Sequence, residues 1–86
     1  MALKNPNIYP QWSVFVWTEH QKPDGEWDTD CTCVDRFDNE FEATALYKSI
    51  GIRDNIVEVD LQKDTEDDWT PVRHKDTCNG YSEYIY

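Results

Sequence analysis

One helical stretch, FDNEFEATALYKSIGI at residues 37–52, stands among segments that alternate apolar and polar residues, and this contrast most constrains the fold. Asp38 or Asn39 can cap the helix, and Asn39 with Glu42 three residues on makes a capping-box-like pair. Glu40 and Glu42 fall in the first turn, where the helix dipole favours carboxylates. Ala43, Leu46, Tyr47 and Ile50 keep the i, i+3, i+4, i+7 spacing of one buried stripe. Gly51 stands where a left-handed residue ends a helix, with Ile52 behind it to pack on Tyr47. A lone amphipathic helix must bury its stripe against something, and its neighbours read as strands. The predicted fold is therefore α+β, with one helix packed on an antiparallel sheet of four to five strands. The order is β-β-α-β-β, with a further β at the end.

The strands come from residue type and turn chemistry. QWSVFVWTE (residues 11–19) is β-branched and aromatic, and KPDGE after it is a hairpin turn. Pro23 presets φ, Asp24 suits the next turn position and Gly25 takes the positive φ of a bulge. Pairing Lys22 with Glu26 sets Trp17 opposite Cys31, Phe15 opposite Cys33 and Val14 opposite Val34, so the second strand spans residues 27–37. NIVEVDLQK (55–63) alternates, with Val57, Val59 and Leu61 to one side and Glu58, Asp60 and Gln62 to the other. DTEDD (64–68) is a turn, and WTPVRHKDT (69–77) is a strand that Pro71 assigns to an edge. Asn79-Gly80 is a hairpin signal that brings YSEYIY back with His74 near Ile85.

Eighty-six residues make one domain, 1–86, with an extended lead-in over 1–10. A core of that size nets little, so twelve aromatic residues weigh heavily and argue for a folded chain despite a net charge of −10. Three cysteines and no charged-then-apolar leader point to a cytoplasmic protein with free thiols. No apolar run is long enough to span a membrane. Eight basic against eighteen acidic residues supply no face for direct nucleic-acid binding, and favour a protein partner with a basic surface.

Some apolar groups exceed what the fold can bury. At 100° per residue, Phe41 points about 170° from the centre of the helix stripe. In the first hairpin, Trp12, Val14, Val16 and Val34 share one face, while Phe15, Trp17, Trp27, Cys31 and Cys33 share the other. Only one of these faces can meet the helix. Either YSEYIY or the N-terminal IYP folds over the second face, with Phe41 against a loop, or an aromatic patch rimmed by carboxylates stays open for a partner.

Motifs for chemistry are weak. Cys31-x-Cys33 with His74-x3-Cys78 offers four zinc-type ligands but not the spacing of a knuckle, and buried core thiols are the simpler expectation. Asp28, Asp30 and Asp35, or the DTEDD run, lack the glycine and distal glutamate of a calcium loop. Neither His20 nor His74 is tied by sequence to a nucleophile, and each of the three glycines has a turn or cap to explain it. We expect no catalytic residue, no metal and no cofactor.

The carboxylates themselves remain. They gather in the first hairpin (Asp24, Glu26, Asp28, Asp30), at the helix start (Asp38, Glu40, Glu42) and in the third turn (Asp64, Glu66, Asp67, Asp68). Their self-repulsion costs stability, which suggests a use in steering a basic partner. The acidic segments DGEWDTD and DTEDD resemble those of small acidic inhibitor proteins of phages and mobile elements, of the anti-CRISPR or DNA-mimic type, with the host cell's cytoplasm then the expected location. FDNEFEATALYKSI leading into NIVEVDL is similar to small phage proteins in which a capped helix leads into a strand. The resemblance implies a binder that occupies a basic surface of a nucleic-acid-handling host protein. The expected partner-binding residues are Asp64, Glu66, Asp67, Asp68, Trp69 and Phe41, then Trp17 and Trp27. The alternative is a structural or self-associating protein, a homodimer for example, that pairs through the Pro71 strand or the YSEYIY edge.

Overall fold

The computed structural model describes residues 8–77 and 80–86. Five strands and one helix follow in the expected order: β1 (Gln11–Gln21), β2 (Trp27–Phe37), α1 (Glu40–Ser49), β3 (Ile56–Asp64), β4 (Trp69–Asp76) and β5 (Ser82–Ile85). They form one antiparallel sheet ordered β2-β1-β3-β4-β5, and α1 carries the chain from outer β2 to β3 on the far side of β1. The fold is α+β, with the helix packed on the sheet.

Local chemistry sets the element ends. Lys22 N–H donates to Glu26 O at 2.7 Å, and Gly25 holds φ +91°, as the PDG turn requires. Asn39 caps α1, its side chain accepting from Glu42 N–H at 2.8 Å. The other end differs from expectation. Gly51 is not left-handed; the cap is Ile50 in extended conformation, and its N–H bonds Tyr47 O at 3.3 Å. The positive φ falls instead on Asp54, in the turn into β3. Lys75 of β4 adds a device that the helix sequence cannot announce. It is buried beneath α1, donates to Tyr47 O at 3.2 Å and lies over the Tyr47 ring. A cation there meets the negative end of the helix dipole.

The core is the face under the helix: Val14, Val16, Phe37, Val59 and Leu61 from the sheet, Ala43 and Tyr47 from α1, with Trp12, Leu46, Ile50, Ile52 and Val72 packed around them. Cross-strand pairing explains the grouping, since Val14 opposes Leu61 and Val16 opposes Val59.

Two expected pairings shift by one residue. Val14 faces Asp35, not Val34, because Val34 is an extra residue in β2 and is left exposed. His74 faces Tyr84, and Ile85 faces Arg73. The Pro71 strand is interior, between β3 and β5. Short β5 pairs only with Arg73–Asp76, so Pro71 lies where β4 has no outer ladder partner. Asn79 and Cys78 lie outside the described residues, while Gly80 has φ +84°.

Candidate functional site

The side chains opposite the core make the second face of the sheet, and among the described residues no helix or strand lies over it. YSEYIY does not fold across; it becomes the edge strand β5, with Tyr81, Tyr84, Ile85 and Tyr86 exposed. Ile8 and Tyr9 are exposed as well. The face carries a cleft of about 520 Å³, walled by Phe15, Trp17, Trp69, Pro71 and Tyr86, with Glu58, Asp60 and His74 among its polar groups.

A square of four titratable groups sits at its polar end. Glu58 and Asp60 stand two apart on β3, His74 and Asp76 two apart on β4, and the register sets Asp60 against His74 and Glu58 against Asp76. His74 Nδ1 lies 2.5 Å from Asp60 Oδ1 and 3.6 Å from Glu58 Oε2, while Nε2 bonds Asp76 Oδ2. The other Asp60 oxygen accepts from Trp17 Nε1–H at 3.1 Å. The Tyr84 ring packs beside the imidazole, centroids 5.8 Å apart.

Crowded carboxylates explain the titration of this cluster. Burial, then a hydrogen bond and charge from Asp60, push the Glu58 carboxyl up to about 7, with His74 opposing. For His74, burial works to lower the pKa, but bonds to Asp60 and Asp76 and the charges of Asp60 and Glu58 outweigh it, and the net shift is upward. Cys31 lies on the same face and lines the cleft. Burial, then the charges of Asp60, Glu58 and Cys33, raise its thiol pKa. That opposes thiolate formation and disfavours Cys31 as a nucleophile.

Around the third turn is a second depression, lined by Tyr9, Gln11, Arg36, Asp64, Thr65, Asp67, Asp68 and Trp69. Asp64 is held by Ser13 Oγ–H and by Gln62 Nε2–H at 2.6 Å. Trp69 lines both this depression and the cleft, so the two form one continuous surface.

The expected partner-binding residues therefore divide. Trp17, Trp69, Asp64, Asp67 and Asp68 come together on the open face, with Glu66 exposed in the same turn. Trp27 is 64% exposed near the tip of the first hairpin, apart from the cleft-lining residues. Phe41 is 85% exposed on α1, which covers the other side of the sheet. Cys31 and Cys33 are free and exposed, contrary to the expectation of core thiols, because β2 is the outer strand and its open face is uncovered. Glu58, Asp60, His74 and Asp76 were missed as a group. The signal available was the polar side of the β3 alternation.

No protein-family model, curated protein or solved structure matches the chain. Among the described residues, no helix is long and apolar enough to cross a membrane.

Proposed function

We propose that the chain is a small acidic protein-binding module of the phage-inhibitor type, which occupies a basic surface of a nucleic-acid-handling host protein through its open sheet face. One observation carries this reading: an uncovered face that joins aromatic walls, from Phe15, Trp17, Trp69 and Tyr86, to the carboxylates of Glu58, Asp60 and the third turn. Aromatic groups anchor interfaces, and a flexible basic side chain entering the cleft would meet both ring faces and carboxylates. The acidic rim steers encounter with such a partner and makes binding salt-dependent. Binding rather than catalysis also fits a cleft in which, among the described residues, the one lining thiol, Cys31, has its pKa raised by burial and then by neighbouring carboxylates.

Affinity capture from a nuclease-treated host lysate, with elution by rising salt, selects the partner, and the purified pair then supplies the test. Affinity should fall steeply from low to high salt, and Trp17→Ala and Trp69→Ala should each cost about 2 kcal/mol or more of binding. Affinity indifferent to salt, or unaffected by both substitutions, would remove the reading.

A second reading rests on β2 (Trp27–Phe37), whose outer edge pairs with no strand among the described residues. Two copies could pair there as an extended sheet. Asp28, Asp30 and Asp35 on that strand, and the extra residue Val34, weigh against it, since like charges and a bulge both disfavour edge pairing. Sedimentation at several concentrations decides: a firm dimer without another partner favours the second reading, a monomer the first.

A further inference from the structure

The square on β3 and β4 is built as a ligand set. We propose that Glu58, Asp60 and His74 bind one divalent first-row transition ion, zinc foremost, with Asp76 holding the imidazole from behind. The inference stands on the geometry of this cluster and not on the docking reading, with which it shares Glu58 and Asp60: an ion there takes up those two carboxylates and leaves the third turn as the acidic rim.

Convergence is the first argument. One ligand atom each from Glu58, Asp60 and His74 can be chosen so that all three lie within 4.8 Å of one another. Ions with bonds of about 2.0–2.2 Å hold their ligand atoms roughly 3–3.5 Å apart, so small side-chain adjustments close the set. The strands supply the placement without strain. Glu58 and Asp60 share a face by alternation, and His74 is the direct cross-strand partner of Asp60.

Outer support is the second argument, and it separates this group from a chance crowd of carboxylates. His74 presents Nδ1 to Asp60 and Glu58 while Nε2 is bonded to Asp76. A histidine ligand oriented through its other ring nitrogen by a carboxylate is the usual arrangement in metal sites. Asp60 turns one oxygen toward His74 and is held through the other by Trp17 Nε1–H. Each of these two ligands thus has its orientation fixed by a neighbour outside the set.

Charge is the third. Three carboxylates meet at one imidazole in a half-buried patch; Arg73 is the cation among the other residues lining the cleft, and Lys75 is committed to Tyr47 O on the helix side. A divalent ion offsets this excess. One imidazole with two carboxylates selects zinc or manganese over calcium and magnesium, which prefer all-oxygen shells.

The competing sites are the thiols and the exposed His20 with Asp28 and Asp30, 3.9 and 3.3 Å away. The test therefore uses the full chain with Cys31, Cys33 and Cys78 all replaced by Ser, dialysed against chelator and titrated with ZnCl2. One ion per chain should bind and change the Trp17 fluorescence, a change absent from W17F. Zinc at about a hundredfold excess over its Kd should raise the Tm by roughly 10 °C or more. Asp60→Asn and His74→Gln should abolish binding. Asp76→Asn should weaken it by about ten- to a hundredfold, while His20→Gln leaves it unchanged. Circular dichroism of each metal-free variant confirms that it folds; D60N relieves repulsion and should be at least as stable as the parent. No zinc binding by the thiol-free chain overturns the assignment. Binding that survives in D60N and H74Q but fails in H20Q does so equally and moves the ion to the first hairpin.

Discussion

The two faces of this sheet are made from the same strands and obey opposite rules. Under α1, β1 and β3 present Val14, Val16, Val59 and Leu61, all buried and all aliphatic. On the reverse, the same strands present Phe15, Trp17, Glu58 and Asp60, half-exposed and mixed in charge and ring character. Charged groups are used differently as well. Lys75 is committed to the helix terminus on one side, while Glu58, Asp60, His74 and Asp76 crowd together on the other. The covered face is organised for stability. The open face instead sets crowded carboxylates beside large, partly exposed rings.

The largest effect should come from crossing that divide with alanine. Leu61→Ala removes a fully buried side chain beneath the helix and should cost about 2–5 kcal/mol in urea unfolding. Trp69→Ala, on a residue 57% exposed at the rim of the open face, should cost about 1 kcal/mol or less. Equal losses would mean that the open face is a second core, and the contrast would fail. Next in size is the helix start. Asn39→Ala leaves Glu42 N–H without its cap and should lower stability by about 1 kcal/mol. Asn39→Ser should restore most of it, since a hydroxyl accepts the same bond.

These elements were legible because their causes are local. The Asn39 cap, the Ala43/Leu46/Tyr47/Ile50 stripe and the PDG turn each lie within a few residues of chain and give the first hairpin and the helix, as the alternation over residues 55–63 gives β3. The helix end was misread because Gly51 suggested a left-handed cap, whereas Ile50 ends α1 in extended conformation. The cluster was illegible for a different reason. Counting back from the β3–β4 turn, where Asp64 opposes Trp69, an unbroken ladder sets Asp60 against Arg73 and His74 against Val59, on the helix face. The ladder shifts by one residue at Val72, so that Asp60 meets His74 and Lys75 goes under the helix. Pro71 stands beside that bulge, but a strand proline suits an edge as well as a bulge, and the sequence alone favours the edge. The exposure of Cys31 and Cys33 was hidden likewise, since only topology makes β2 the outer strand.

pH sharpens the comparison at a smaller scale. The folded Glu58 carboxyl titrates near 7, above its ordinary 4.5, so between those values the folded chain holds a proton that the unfolded chain has released. Stability must then fall as pH rises through that window. His74 is also raised; its contribution is complete below its ordinary 6.5 and is lost as pH climbs through the folded value. Both groups act in one direction. In chelator-treated protein, the Tm should be a few degrees higher at about pH 5.5 than at about pH 8. Asp60→Asn should flatten this slope, because Asp60 contributes to both shifts. A Tm that falls on acidification would show that carboxylates elsewhere, paired in the fold, dominate the titration.

The smallest expected effect on folding belongs to Phe41, and it is the most informative about binding. Its side chain is 85% exposed on the outer side of α1, so Phe41→Ser should leave the unfolding free energy within about 0.5 kcal/mol. An exposed aromatic at that place can still serve an interface, but not the same one as Trp17 and Trp69, because the helix and the sheet stand between them. If the open face alone docks the partner, the substitution leaves capture and salt elution unchanged. If capture weakens with the Tm intact, the contact surface includes the outer face of the helix. The partner then either wraps an edge of the sheet or binds the helix side instead, and W17A and W69A separate the two, since only a wrapping partner loses affinity in all three variants.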